Sequence, residues 1–149
     1  MMHSNELTVK DEVLIEAPPS KVWEVLVKPK FVSKWDELPE NYPEEDMALG
    51  SKVIWELPNG GQSITTIIKA DQNKELIIAL NVTNREIQPK EGDVAYRYLL
   101  EERGSDTLLK IEIGDFSLIK NGQMYYDASV EFASNSKNVI KELAEDICK

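Results

Sequence analysis

Five extended segments in succession, followed by one long helical stripe, constrain this chain more than any other feature of its sequence. Residues 52–57 alternate, which puts Val53, Trp55 and Leu57 on one face. Asn59-Gly60-Gly61 then predicts a hairpin turn, because its central positions tolerate positive φ. Residues 62–70 are rich in β-branched Ile and Thr and predict the return strand. After a turn over 71–74, residues 76–82 predict a further strand, and a polar stretch over 83–92 makes the next connection. Residues 94–101 place Val94, Tyr96, Tyr98 and Leu100 on one face, and residues 107–113 alternate Leu109, Ile111 and Ile113 with charge. From Asn121-Gly122 onward the period changes: Tyr125, Phe132, Val139, Ile140, Leu143 and Ile147 fall on one broad helical stripe.

The segment before this run supplies the remaining elements. Residues 7–17 predict a first strand with Val13 and Ile15 on one face. Pro18 and Pro19 stop it and suit a helix's first turn, after which Val22, Trp23, Leu26 and Val27 recur at helical spacing. Pro29 ends that helix, and a second short one is predicted over 30–35 with Phe31, Val32 and Trp35 apolar. Residues 36–50 carry Asp36, Glu37, Glu40, Glu44, Glu45 and Asp46 with Pro39 and Pro43 and predict a long loop. The chain of 149 residues is expected to form a single α+β domain, 1–149.

Geometry then points to a cavity. Consecutive strands joined by short turns form an antiparallel meander. A helix of about 25 residues spans roughly 37 Å but is only about 10–12 Å wide, so it runs the length of a six-strand sheet without covering it. A sheet that curls around such a helix leaves a gap, expected at about 300–1,000 Å³ if it holds a small ligand.

Charge and composition exclude several function classes. With 27 acids against 17 bases, a net charge of −10, the surface repels phosphate backbones and anionic membranes, so neither nucleic acid nor membrane is an expected partner. No apolar run approaches the length of a membrane span, and residues 1–12 show no secretory pattern, so a cytoplasmic location is expected. The one histidine, His3, and the one cysteine, Cys148, lie near the ends. Serine and cysteine triads, a zinc site and an internal disulfide are therefore not expected, nor is any cofactor.

Pro18-Pro19-Ser20-Lys21-Val22-Trp23, then Leu26, Pro29, Phe31 and Trp35, then Gly50-Ser51-Lys52-Val53-Ile54-Trp55, resemble the START-like or SRPBCC helix-grip superfamily. Within it the chain is most similar to the branch named after the C-terminal domain of the heat-shock-protein-90 ATPase activator. The resemblance implies a helix-grip fold: a curved antiparallel sheet of about six strands wrapped around a long C-terminal helix, with two short helices after the first strand. It also implies a range of functions, since the superfamily includes lipid carriers, polyketide cyclases, hormone receptors and co-chaperone domains.

The expected function is therefore non-catalytic binding of a hydrophobic or amphipathic small molecule, or a lipid, between the sheet and the C-terminal helix. The candidate lining residues are Trp35, Trp55, Thr66, Ile78, Tyr96, Tyr98, Ile111, Met124 and Phe132. Tyr96 and Tyr98 would orient a polar group of the guest through their hydroxyls. The alternative is a protein-interaction module that regulates a chaperone or another enzyme, with the acidic loop docking on a basic partner. A cyclase-like enzyme is the third reading, with Asp115 as its only candidate general base. No catalytic or metal-ligating residue is assigned.

Overall fold

The computed structural model describes residues 7–40, 42–58, 60–82, 94–119 and 122–147. Strand β1 (Val9–Ile15) leads into helices α1 (Pro19–Val27) and α2 (Pro29–Trp35). Strands β2 (Lys52–Glu56), β3 (Gln62–Asp71), β4 (Glu75–Val82), β5 (Ala95–Arg103) and β6 (Asp106–Gly114) follow, then a 3-10 turn at Phe116–Leu118 and helix α3 (Gly122–Ile147). The order matches the sequence expectation. The connection expected over 83–92, together with His3, Asn59, Asn121 and Cys148, lies outside the described residues.

The six strands form one open antiparallel sheet in the order β1-β6-β5-β4-β3-β2. The meander β2 to β6 is read directly from the chain, and β1 joins it at the far side of β6, with Val9 opposite Ile113 and Ile15 opposite Thr107. The hydroxyl of buried Thr107 donates to the Ala17 carbonyl at 2.8 Å and so fixes that end of β1. At the β2–β3 turn Gly60 takes φ +87, as the hairpin signal requires. A bulge lies between Ile67 and Lys69.

Both short helices begin on proline, where no backbone N–H is needed. Pro29 has a second effect. The Val25 carbonyl would ordinarily accept from the N–H four residues on, and proline has none to give. The indole N–H of Trp35 donates to it instead, at 2.8 Å. The neighbouring carbonyls are also met: Glu24 by the Lys28 N–H at 2.9 Å, Val27 by the Met47 N–H at 2.8 Å. The end of α1 thus ties down both α2 and the segment that follows it.

Helix α3 lies mainly against β1, α1 and α2, and meets the sheet chiefly on its β1–β6 side, with Phe132 reaching Tyr96 of β5. Lys137 and Asp11 form an ion pair at 2.7 Å between α3 and β1, and the Glu145 carboxylate accepts the Glu16 N–H at 2.8 Å. The innermost line of α3 is not the large apolar stripe expected from the sequence. Ser129, Ala133, Ser136, Ile140 and Ala144 are buried, while Tyr125, Phe132, Val139, Leu143 and Ile147 flank them, partly buried. Small side chains let the helix axis come close to its neighbours. Gly122 is the extreme case: an added Cβ would collide with the Phe116 carbonyl oxygen.

Candidate functional site: a small aromatic recess

Because α3 covers the β1–β6 side, the inner face of β2 to β5 is left to α1, α2 and the 36–50 segment. The cross-strand register tiles that face. Trp55 lies opposite Ser63, Val53 opposite Thr65, Thr65 opposite Leu80, Ile67 opposite Ile78, and Ile78 opposite Tyr96. Leu26 and Val32 of the helices and Leu38 and Met47 of the segment face it across a recess of about 150 Å³. The segment is anchored at its far end by the Met47–Val27 bond and by the Gly50 N–H on the Ile67 carbonyl, 2.8 Å each. Near that end, Lys28 pairs with Asp46 at 3.4 Å.

Of the residues proposed from sequence, Trp35, Trp55, Ile78, Tyr96 and Tyr98 line this recess together. Trp35 and Tyr98 meet edge to face, with centroids 5.7 Å apart at 65°. The others stand elsewhere. Thr66 belongs to the opposite face of β3, where its hydroxyl meets the Lys52 ammonium at 3.2 Å, so it is Thr65 that points inward. Ile111 is fully buried in the core beside Tyr98, its cross-strand partner on β5, and is not among the lining residues. Phe132 packs edge to face on Tyr96 at 6.0 Å without being among the lining residues, and Met124 is 60% exposed. The recess therefore sits between the sheet and α2 with its following segment, not between the sheet and the C-terminal helix: no α3 residue lines it. It is also smaller than the size range expected from the sequence.

In the sequence Asp36 is only one of the loop acids; the structure brings it to the recess. It caps α2, follows the buried Trp35, and lies at the rim with part of its surface still open to solvent. The surrounding protein nevertheless crowds its carboxyl and pushes its pKa from 3.8 up to about 6. Burial is the main cause; the Glu37 N–H, donating at 2.8 Å, works the other way, and the Glu37 carboxylate adds to the rise. The phenols feel the same surroundings. Burial, then the Asp36 charge, pushes Tyr96 up to about 12 and Tyr98 well above its usual 10. Both hydroxyls are therefore protonated donors at neutral pH, and no described residue forms a hydrogen bond with either.

Asp115, the one acid considered as a general base, has another job. Its carboxylate accepts the Leu7 N–H and the Ser117 N–H at 2.9 Å each, and the Ser117 hydroxyl at 2.6 Å. Burial raises its pKa, but these bonds outweigh that and hold it below the usual value. It caps the turn before α3 and is not among the residues lining the recess. Among the described residues no cluster of His, Cys, Asp and Glu could hold a metal ion, and no helix is long and apolar enough to cross a membrane.

Comparison with known proteins agrees with this architecture. The chain is similar to protein MLL2253 from Mesorhizobium loti, at 18% identity and TM-score 0.69 over 93% of this chain and 97% of that one. It is similar to protein Ms6760 from Mycobacterium smegmatis, at 19% identity and TM-score 0.67 over 99% and 96%. It also resembles the Aha1 dimer from Colwellia psychrerythraea, at 16% identity and TM-score 0.62 over 90% and 96%. No curated protein matches the sequence. The profile described as Activator of Hsp90 ATPase homolog 1-like protein matches residues 16–145, a span that includes every residue of the recess. Such a match supports a ligand-binding or regulatory module in general. By that match, and by the helix-grip architecture that goes with it, the chain belongs to the Activator of Hsp90 ATPase homolog 1-like family.

Proposed function

We propose that this chain is a non-catalytic binding module for a small hydrophobic or amphipathic molecule held in the Trp35–Trp55–Tyr98 recess. The observation that carries the reading is the recess itself, with its aromatic walls and its phenol hydroxyls unengaged by described residues. A cavity of this volume holds roughly one benzene-sized group, so the guest is compact, or only the tip of a longer lipid enters. Apolar burial at about 25 cal/mol per Å² drives binding, and the hydroxyls orient the polar end.

Thermal shift with an aromatic and lipid library, followed by native mass spectrometry of the hits, tests this. A ligand at 100 times its Kd stabilises by about 2.7 kcal/mol, which raises Tm by roughly 5–11 °C for a domain of this size. Thr65→Trp, which fills the recess, should abolish the shift. If no compound raises Tm in the parent chain, the reading fails.

A second reading is favoured by the exposure of Glu37, Glu40, Glu44 and Glu45 along the segment that roofs the recess. In it the chain docks on a basic surface of a partner protein, and the family name makes an Hsp90-type chaperone the first partner to test. Adding the chain to purified Hsp90 should change its ATPase rate, and neutralising the six acids of 36–46 should remove the effect. An unchanged rate with the parent chain would reject this reading. Both readings take the chain as cytoplasmic; the net charge of −10 disfavours a nucleic-acid or anionic-membrane partner.

A further inference from the structure

The recess joins aromatic walls to acid and to nothing basic. Trp35, Trp55, Tyr96 and Tyr98 supply rings, Asp36 and Glu37 supply carboxylates, and no Lys or Arg is among the lining residues. Among the described residues no cation pairs with Asp36; Lys28 pairs with Asp46, and Lys52 meets Thr66 on the opposite face of the sheet. We infer that the recess selects a compact cationic amine, its ammonium on the Asp36 carboxylate and its apolar body against the rings of Trp35, Trp55 and Tyr98.

Three physical arguments converge on this choice. A carboxylate at an apolar, partly enclosed site is stabilised most by a ligand that brings the opposite charge. Ring faces attract ammonium groups as well as apolar carbon, so the same walls serve both ends of an amine. An anionic guest such as a fatty acid would set its charge beside two carboxylates, and a neutral one would leave Asp36 uncompensated. The raised pKa of Asp36 agrees with this, since an ammonium beside it would draw the carboxyl back to its ionised form.

The inference rests on the reading that the recess holds a small molecule, and a matched set of probes separates the two. The full chain is titrated at pH 7.5 with benzylammonium, benzyl alcohol and benzoate, three ligands of one shape and different charge. The indole ¹H–¹⁵N peaks of Trp35 and Trp55, assigned with single Trp→Phe variants, report occupancy. Benzylammonium should bind about tenfold more tightly than benzyl alcohol, as a charge-assisted bond predicts, and benzoate more weakly than either. Asp36→Asn should bring amine and alcohol within about twofold of each other while leaving the alcohol affinity in place. Asp36→Ser provides the same comparison with a second side chain. Equal binding of amine and alcohol by the parent chain, or tightest binding of benzoate, overturns the amine inference and leaves the small-molecule reading standing. Failure of all three to move either indole peak overturns both.

Discussion

The indole of Trp35 stands in for a backbone donor that Pro29 lacks, and Trp35→Phe removes that donor while keeping an aromatic ring in place. Trp35 is 6% exposed, so water has little access to replace the lost bond to Val25. A buried carbonyl left without its partner costs about 1–3 kcal/mol. Losing the buried area of the larger ring adds about 1 kcal/mol, for a total of roughly 2–4 kcal/mol. Urea unfolding followed by far-UV circular dichroism measures the change without relying on the tryptophan that has been removed. With a slope of about 2 kcal/mol per M, the midpoint should fall by roughly 1–2 M at unchanged slope. The edge-on contact with Tyr98 is largely kept by phenylalanine, so the loss belongs to the hydrogen bond and the ring area. A loss below about 1 kcal/mol would refute the account, because Val25 would then have found another donor at little cost.

Three further outcomes follow from the same structure. The raised pKa of Asp36 means that its contribution to stability is present below pH 3.8 and is lost as pH rises through about 6. Asp36→Asn should therefore be more stable than the parent above pH 6, with the gap closing below pH 4; a Tm difference that stays flat from pH 3.5 to 8 would contradict this. Gly122→Ala should lose about 1–3 kcal/mol in chemical denaturation, although alanine is the better helix former, because the new Cβ meets the Phe116 carbonyl. Ser136→Ala should gain about 1 kcal/mol, seen as a higher Tm, since the buried Ser136 hydroxyl has no partner among the described residues.

The element order was legible because period and punctuation agree: the Pro18-Pro19 pair starts α1, Pro29 separates it from α2, and alternation marks β5 and β6. Tyr96 and Tyr98 were placed on the inner face because Ala95 and Arg97 contrast with them. β3 offers no such contrast. Its run Ile64-Thr65-Thr66-Ile67-Ile68 reads the same on either face, and only the observed register shows Thr65 inside and Thr66 outside. The inner line of α3 was missed for a related reason. A search for large apolar residues selects Tyr125 and Phe132, whereas close approach to β1, α1 and α2 selects Ala133, Ser136 and Ala144. Asp36 looked like one solvated acid in a run of six, and only the fold around Trp35 distinguishes it. The position of the recess followed from the same oversight, since a helix lying close to its neighbours leaves no room beneath itself.

That close seating divides the molecule into a foundation and a workshop. The tightly fitted small side chains of α3 sit against β1, α1 and α2, and the hollow is walled by β2 to β5, the two short helices and the segment after them. Substitutions at Val53, Thr65, Leu80 or Met47 can therefore change the volume and shape of the chamber without touching the buried line of α3.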